Sequence, residues 1–370
     1  DTALKTVRAM KSRQTTPIHP QTVIGLMSGT SLDGLDIAIS QFQRLDSGKV
    51  LGGLLQFDSV PFPNDLKRRL ESLYATDARE GVECSTAFST WCGLALQSFS
   101  GGELIGFHGQ TVFHNPKSGY TGQLASGAHL HAATGLPVVC DFRSLDVALG
   151  GQGAPLVPVA DAMLFPEAEV AVNLGGIANM SASDFSGSRW ACDITPCNLL
   201  LNALAQRVGQ PCDWNGELAA KGQVIPALAQ HLQSHPFHQL NAPKSLGREA
   251  IDAHWWPLIR AFDSHPLPDL LATITADIAA HVAAAIGPRK ALITGGGAWN
   301  VELMRQIQEF PGLVLLPASK EVIDGKEAHA FGLLAWMRVH GMVNTWSKVT
   351  GARRDSVGGC IYGDVRHLYA

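Results

Sequence analysis

A run of small and hydroxyl-bearing residues near the start of the chain has the composition of a phosphate-binding loop. The segment reads MSGTSLDGLD from Met27 to Asp36. Its small residues leave backbone N–H groups open to phosphate oxygens, and hydroxyl groups add further donors. Those hydroxyl groups belong to Ser28, Thr30 and Ser31. The Gly-Lys-Ser/Thr ending of a Walker loop is missing, so the segment predicts a phosphate loop of another type.

Two carboxylates in the same segment indicate a magnesium ion. Asp33 and Asp36 would repel a phosphate beside them unless a cation lay between. Mg²⁺ prefers carboxylate and water oxygens and usually keeps several of its waters. The pattern therefore predicts Mg²⁺ held by these two residues through water. A plain hairpin with an Asp-Gly tip fits the same spacing and stays open as the alternative.

Two further glycine segments follow short apolar runs. Asn173–Asn179 reads NLGGIAN and can cradle a phosphate group. Gly295–Gly297 precedes a helix cap predicted at Asn300, and its bare backbone can lie against adenine or ribose. Each segment alone also fits a tight turn. Three such loops in one chain favour a nucleotide-binding protein.

The best candidate for a general base is Asp193, in the segment WACDITPCN. Thr195 can cap a following helix, and Pro196 suits the first helical position. Asp193 would then lie near the positive end of a helix dipole, which stabilises the ionised form that a general base needs. A carboxylate that only helps to cap the helix remains the alternative.

Two more candidates carry positive charge or can titrate. Arg143 lies between Asp141 and Asp146, and it can clamp a carboxylate or a phosphate with two hydrogen bonds. An ion pair with either aspartate is equally compatible with the spacing. His108 follows a strand-like run and is flanked by glycine, so it can face a cleft.

The elements that must position these residues alternate between two patterns. Short aliphatic runs such as Val170–Leu174 and Ala291–Thr294 are typical of buried strands. Stripes at helical spacing lie between them, and this alternation predicts an α/β protein. The apolar stretch Leu270–Ile286 is interrupted by Asp277 and His281, so we expect a helix with a buried face rather than a membrane span.

Composition excludes several classes of protein. The chain has 370 residues, of which 46% are hydrophobic and 16% charged, and this suits two globular domains. A net charge of −4 and the lack of a basic stripe argue against nucleic acid as a partner. Seven cysteines without metal-ligand spacing fit a reducing cytosol. Residues 1–22 are mildly basic without an apolar core, and we expect a disordered extension there rather than a secretory signal.

The motifs together resemble one family. In chain order they are GLMSGTSLDGLD, FHGQT, DFRSLDVALGGQGAPLVP, VNLGGIAN, APKSLGRE, ITGGGAWN and EAHAFGLLAW. The chain is similar over residues 23–370 to anhydro-N-acetylmuramic acid kinases. The resemblance implies a two-domain actin-like (ribonuclease H-like) sugar kinase fold with a central nucleotide cleft. Two domains joined by short hinges, with phosphate loops on both sides, are expected to close around their ligands. The implied domains are 23–145, with about 346–370 packing back on it, and 146–345.

The resemblance also implies a reaction and its components. The expected enzyme is cytoplasmic, uses ATP and Mg²⁺, opens the 1,6-anhydro ring of anhydro-N-acetylmuramic acid with water, and phosphorylates O6 during peptidoglycan recycling. Its expected partner is this small anhydrosugar, with no nucleic acid and no membrane; a homodimer stays open.

Carried over position by position, the family assigns roles to three groups of residues. Asp193 is the expected catalytic base that activates water. Arg143, Glu327 and His108 are expected to line the sugar cleft. The expected nucleotide-binding positions are Gly29, Thr30, Ser31, Leu32, Asp33, Gly34, Leu35, Asp36, Asn173, Gly175, Gly176, Asn179, Gly295, Gly296 and Gly297.

Three departures from the family pattern bear on the substrate. Thr195, Ala125 and Leu246 stand where relatives usually carry Gly, Gly and Thr, and their side chains can reshape the sugar pocket. The alternatives are a kinase of a simpler anhydrosugar such as levoglucosan, a catalytically impaired nucleotide-binding protein of the same fold, and a glycoside hydrolase with Asp193 and Glu327 as its carboxylate pair. The hydrolase would leave the three phosphate-type loops unexplained.

Overall fold

The chain divides into two compact units. The computed structural model describes residues 18–29, 32–99, 101–184, 187, 189–242 and 244–369. The first unit comprises the described residues up to Leu164 together with those from Gly325 onwards, and the second is Phe165–Asp324. The first unit thus extends beyond the expected boundary at 145, because Leu156 and Val159 pack in the same core as Val23. Of the expected N-terminal extension, residues 18–22 already belong to a strand, and residues 1–17 lie outside the described residues.

Thirteen strands are present in the described part of the chain. Most are short and apolar, and the four residues of Leu104–Phe107 are all buried. In chain order they are β1 Ile18–Met27, β2 Gly34–Arg44, β3 Val50–Pro61, β4 Leu104–Phe107, β5 Gln110–Asn115, β6 Tyr120–Leu124, β7 Val138–Cys140, β8 Val170–Leu174, β9 Ile177–Ser183, β10 Arg189–Pro196, β11 Lys290–Thr294, β12 Val314–Leu315 and β13 Cys360–Tyr362.

Helices alternate with these strands, as the sequence pattern predicted. A π-helical turn, Ile251–Trp255, lies between two of them. In chain order the α-helices are α1 Asn64–Ser72, α2 Ala78–Ala95, α3 Gly127–Thr134, α4 Ser144–Ala148, α5 Pro158–Leu164, α6 Asn198–Ala205, α7 Pro226–Gln233, α8 Arg248–Ala250, α9 Trp256–Arg260, α10 Leu267–Ile286, α11 Val301–Gln308, α12 Lys320–Val339 and α13 Ser347–Thr350.

The main sheets of the two units follow the same plan. The first sheet has the order β13-β7-β4-β1-β2-β3, and the second has the order β10-β9-β8-β11-β12. In each, an antiparallel meander of three strands is extended by two strands parallel to its first strand. The first sheet adds β13, which pairs antiparallel with β7 at the edge. This repeated strand order is that of the ribonuclease H-like fold, and it confirms the predicted α/β fold class.

Helix α10 is the centre of the second unit's core. Its length and composition would allow it to cross a membrane, but 67% of its most apolar stretch is buried inside the protein. Leu271, Ile274 and Ile278 lie in one apolar cluster with the strands of the second sheet. The predicted buried face of a core helix is therefore confirmed.

Helix α12 lies unusually close to the first sheet. It begins in the second unit, and its residues from Gly325 onwards belong to the first. Gly25 of β1 and Gly106 of β4 are paired neighbours, and a Cβ on either would overlap helix backbone, at the carbonyl groups of Ala328 and Phe331 respectively. The helix can approach the sheet only because both strands carry glycine there.

We therefore expect Gly25→Ala to destabilise the protein by about 1–3 kcal/mol, the usual cost of overpacking a core. Gly53→Ala is the matched control, because Gly53 lies in β3 of the same sheet and has open space around its Cβ position. Urea unfolding of both variants measures the free energy of unfolding. Equal stability of the two variants would contradict the close approach of the helix.

Candidate functional site

Polar residues of the second sheet lie in one row across four strands. Asp193 of β10 pairs with Asn179 of β9, which pairs with Asn173 of β8, which pairs with Thr294 of β11. Side chains directly opposite one another in a sheet point to the same face. The row lies at the carboxyl ends of β8 and β11 and three residues before the end of β10. Ligands of open α/β sheets bind at that carboxyl edge.

Two glycine turns meet at the same edge. Gly175 and Gly176 connect β8 to β9, and a Cβ on Gly176 would lie 3.0 Å from Cγ of Leu199. Gly295 has φ 86°, and a Cβ there would overlap the side-chain oxygen of Asn173. The predicted nucleotide segments Asn173–Asn179 and Gly295–Gly297 are thus brought together by the fold, and glycine is required where they touch.

The rest of the third glycine segment continues into short helices. Gly296 begins a 3₁₀ turn, Gly296–Trp299. A Cβ on Gly297 would lie 2.7 Å from Cβ of Leu174. Asn300 then caps helix α11, since the N–H group of Leu303 donates to its side-chain oxygen at 3.0 Å. The predicted cap at Asn300 is confirmed.

The predicted cap at Thr195 is wrong. Strand β10 continues through Pro196, and helix α6 begins at Asn198 without a side-chain cap. The N–H groups of Cys197, Asn198 and Leu199 donate instead to the carbonyl oxygens of the Gly175–Gly176 turn, at 2.9 to 3.1 Å. Because these carbonyl groups accept from the first N–H groups of the helix, the helix dipole does not account for stabilising the ionised form of Asp193.

Asp193 is held by a different segment, Lys244–Leu246. The Asp193 N–H group donates to the carbonyl oxygen of Lys244 at 2.9 Å, and the Leu246 N–H group donates to Oδ2 of Asp193 at 2.7 Å. Burial raises the pKa of the half-buried Asp193 carboxyl group, and the Leu246 hydrogen bond opposes that rise. Sequence reasoning missed this contact because the donor is backbone, which any residue except proline supplies.

The remaining candidates of the first unit form a cluster around His108. Arg143 donates to Nε2 of His108 from Nε at 3.2 Å and from Nη2 at 2.8 Å, and Nη1 donates to the carbonyl oxygen of Gly153 at 2.6 Å. Nδ1 of His108 lies 2.7 Å from the carbonyl oxygen of Gly109. The ring is therefore neutral with its proton on Nδ1; burial and then Arg143 lower the pKa of His108.

The two aspartates that flank Arg143 have other partners. Oδ2 of Asp146 accepts from the N–H group of Gly153 at 2.8 Å, and its Oδ1 accepts from the hydroxyl group of Thr350 at 2.6 Å. Asp141 accepts from the N–H group of Ser144 at 3.3 Å, where helix α4 begins. Both carboxylates therefore shape the loop that supports Arg143, and the alternative of an ion pair with Arg143 has no support among the described residues.

Glu327 belongs to the same part of the first unit. It follows Lys326, whose buried amino group lies 3.0 Å from Oδ1 of Asp161. Burial raises the pKa of Glu327, while Lys326 and Arg143 oppose the rise. Burial also lowers the pKa of Arg143 to about 10, with Glu327 acting against it. Each charge opposes the effect of burial on the pKa of the other, and both residues belong to the first unit. Their shared role in sugar binding stays a prediction.

The first phosphate segment forms the turn between β1 and β2. The N–H group of Leu32, at φ 54°, donates to the carbonyl oxygen of Gly29 at 3.2 Å. Thr30 and Ser31 lie outside the described residues. The Leu35 side chain is buried in the core, so only its backbone can face a ligand.

Two polar groups border this turn on the protein side. The hydroxyl group of Ser28 donates to the side-chain oxygen of Gln110, and both residues are buried. Asp33 is exposed after the turn, and Asp36 is half-buried in β2 beside Gly34. Gly34 already lies in β2, so the Asp-Gly pair is not the tip of the turn. The magnesium role of Asp33 and Asp36 stays a prediction.

Comparisons with known proteins agree with the motifs. A family model described as anhydro-N-acetylmuramic acid kinase matches residues 21–364. The anhydro-N-acetylmuramic acid kinase of Bordetella parapertussis is 39% identical to this chain, over 92% of this chain and 95% of its own length. The protein of the same name from Gluconobacter oxydans is 34% identical to this chain, over 91% of this chain and 98% of its own length. The protein of the same name from Rhodopseudomonas palustris strain BisB18 is 36% identical to this chain, over 92% of this chain and 99% of its own length.

Solved structures of similar shape are more distant. An activator of 2-hydroxyisocaproyl-CoA dehydratase from Clostridium difficile, with bound ADPNP, is 13% identical and covers 85% of this chain and 94% of its own, with a TM-score of 0.41. A hexokinase from Schistosoma mansoni complexed with glucose is 10% identical over 86% of each chain, with a TM-score of 0.34.

The contact between Leu246 and Asp193 has a measurable consequence. Leu246→Pro removes the N–H donor, and a hydrogen bond to a charged group contributes roughly 1.5–3 kcal/mol, so the pKa of Asp193 should rise by about one unit or more. Leu246→Met is the control, because it keeps the donor and the apolar bulk. Carboxyl ¹³C NMR titration reads the pKa directly, and an equal value in the two variants would refute the role of this N–H group.

Proposed function

The chain belongs to the anhydro-N-acetylmuramic acid kinase family, and from this membership we propose that it opens 1,6-anhydro-N-acetylmuramic acid with water and phosphorylates its O6 from ATP. The observation that supports this best is the row of the second sheet. It places a partly buried carboxylate, Asp193, beside two asparagines and two glycine turns that can admit phosphate groups. A base and a phosphoryl donor site at one sheet edge suit a reaction that combines water attack with phosphoryl transfer.

The chemistry balances with one carboxylate. Water attacks C1 of the sugar and passes a proton to Asp193, and the C1–O6 bond breaks with its electron pair left on O6. O6 then takes the γ-phosphoryl group of ATP, and ADP leaves. Burial makes Asp193 a stronger base than an exposed aspartate, while the Leu246 N–H group keeps one carboxylate oxygen occupied. No described residue donates to Oδ1, so this oxygen is available to a water molecule.

The nucleotide fits the second unit on steric grounds. Side chains are absent at Gly175, Gly176 and Gly295–Gly297, and at Gly176, Gly295 and Gly297 an added Cβ would lie against a neighbouring residue. Gly296 is less crowded, because an added Cβ would lie 3.7 Å from Nδ2 of Asn198. A phosphate oxygen can approach the backbone there, while Asn173 and Asn179 offer amide donors. The carboxylates of Asp33 and Asp36 suit Mg²⁺, which when bound would offset the charge of the transferring phosphate.

The sugar contacts are proposed for the cluster of the first unit. Arg143 carries a fixed positive charge, because its pKa remains about 10 despite burial. His108 and the Gly153 carbonyl group occupy part of its guanidinium, so its orientation is set before a ligand arrives. Arg143 would bind the lactyl carboxylate of the sugar, and Glu327 would accept a hydrogen bond from a hydroxyl or amide group. A simpler anhydrosugar without a carboxylate would leave Arg143 without this contact.

The biological setting follows from the substrate. An anhydromuramic sugar arises when the polysaccharide of bacterial cell walls is cleaved, so we place the enzyme in peptidoglycan recycling. The need for ATP and the free thiol groups of all seven cysteines, which suit a reducing environment, support a proposed location in the cytoplasm.

We expect Asp193→Asn to lower kcat by about 10²- to 10⁴-fold, the range of general-base catalysis, and to leave the Kd for ATP within a few-fold of the original. The amide keeps the size of the side chain but cannot accept the proton. Coupled ADP release, with the mass of the product, measures turnover in H₂¹⁸O. The original enzyme should give a product that carries one phosphate group and one ¹⁸O atom.

Asp141→Asn is the control for this variant, since Asp141 contacts the start of a helix and should keep most of the activity. Turnover that persists in Asp193→Asn and collapses in Asp141→Asn would move the base to the earlier segment. Ring opening without ATP would instead identify a glycoside hydrolase.

Gly295→Ala should weaken ATP binding by roughly 10- to 100-fold, because the added Cβ would displace the side chain of Asn173 and a hydrogen bond to a charged group contributes roughly 1.5–3 kcal/mol. Gly209→Ala shares the positive φ, 76°, but has open space around the Cβ position, and it controls for backbone strain. Isothermal titration calorimetry compares the two. Equal affinity would remove the Gly295 turn from the nucleotide site.

A further inference from the structure

A second group of chemically active side chains lies in the second unit, outside the row of polar residues described above. Asp277 and His281 are one turn apart on helix α10, and His238 faces them from the 3₁₀ turn Pro236–Gln239. Their ligand-type atoms all lie within 4.8 Å of one another. Asp277 is 4% exposed, so the group contains a carboxylate that is almost fully withdrawn from water.

Each of the three residues has a buried polar atom without a partner. Nε2 of His238, Oδ1 of Asp277 and Nε2 of His281 are closed to solvent, and no described residue forms a hydrogen bond with them. Nε2 of His281 lies 3.3 Å from Oδ1 of Asp277, but the angles there do not make a hydrogen bond. Buried polar atoms almost always have a partner, and one shared ion would provide it for all three.

We propose that His238, Asp277 and His281 bind one divalent transition-metal ion, with Zn²⁺ the best-matched species. Two imidazole nitrogens and one carboxylate oxygen form a common zinc ligand set, and water completes the tetrahedron. Ligand bonds of about 2.0–2.1 Å require ligand atoms about 3.3 Å apart. To reach that value from a spread of up to 4.8 Å, the side chains must rotate. The rings of His238 and His281, now stacked 15° from parallel, must tilt so that both nitrogen lone pairs point at the ion.

The charges around the site favour neutral imidazole ligands. The rings of His238 and His281 stack with 3.5 Å between their centroids. A neutral imidazole offers a nitrogen lone pair to a metal ion, and two rings stacked this closely would repel each other if both were charged. Lys244 opposes a cation, but its amino group donates to the carbonyl oxygen of Phe237 at 3.1 Å, while the Asp277 carboxylate attracts the ion.

The ion would have a structural role. It would fasten the Pro236–Gln239 turn to helix α10. The same stretch of chain continues to Lys244, whose backbone carbonyl accepts from Asp193, and to Leu246, whose N–H group donates to the Asp193 carboxylate. The metal would thus order the segment that orients Asp193 without contacting the reacting atoms.

Direct metal binding tests the proposal independently of any kinase activity. The untagged full chain is first treated with a chelator and then titrated with Co²⁺. We expect one equivalent to bind and to give the intense visible absorption bands of tetrahedral Co²⁺. Zn²⁺ should displace Co²⁺ and raise the Tm of the chain, whereas excess Mg²⁺ should not. Lack of stoichiometric Co²⁺ or Zn²⁺ binding would overturn the site and leave an ordered water as the common partner.

Substitutions then locate the bound ion. Asp277→Asn and His281→Asn should each weaken Zn²⁺ binding by at least about 100-fold, since even loss of an outer partner of a ligand costs 10- to 100-fold. His231→Asn is the control, because His231 is an exposed histidine of helix α7 in the same unit. Circular dichroism confirms folding. Unchanged Zn²⁺ affinity in both cluster variants would place the metal elsewhere and refute the proposal.

Discussion

A backbone hydrogen bond to a half-buried carboxylate is the interaction on which the candidate site depends. Burial alone makes the ionised form of Asp193 less stable, and the Leu246 N–H group limits that effect. The result is a carboxylate that is more basic than one in water and has one oxygen fixed in place. A general base needs both properties, since it must be ionised at neutral pH and still take a proton. Because the donor belongs to the backbone, the unusual side chain of Leu246 leaves this contact intact.

The second sheet extends this arrangement from one carboxylate to a whole site. Its register aligns Asp193, Asn179 and Asn173, and the turn at Gly295 fits against Asn173 because it carries no side chain. In the first unit, glycines at Gly25 and Gly106 allow helix α12 to approach the sheet, and the same helix carries Glu327. In both units, residues without side chains decide where chemically active residues can lie.

The sequence predicted the α/β class, the Asn300 cap and the core role of helix α10, because these follow from local patterns of apolar, capping and glycine residues. Thr195 shows where local reasoning failed. Its type and position suit a helix cap, but the carbonyl groups of a glycine turn that is distant in sequence accept the hydrogen bonds of the first N–H groups of the helix. The partners of Arg143 and Asp193 are also remote in sequence. His238, Asp277 and His281 gave only one local signal, the i,i+4 spacing on α10, and the third residue joins them through tertiary structure alone.

The position of water relative to Asp193 is the most direct test of the central claim. A crystal structure of Asp193→Asn with 1,6-anhydro-N-acetylmuramic acid and a non-hydrolysable ATP analogue would show it. The account predicts one water molecule between the side chain of residue 193 and C1, on the face opposite the C1–O6 bond, with O6 directed at the γ-phosphate. A side chain at 193 that contacts the phosphate or the nucleotide, with no water beside C1, would contradict the assignment of Asp193 as the base.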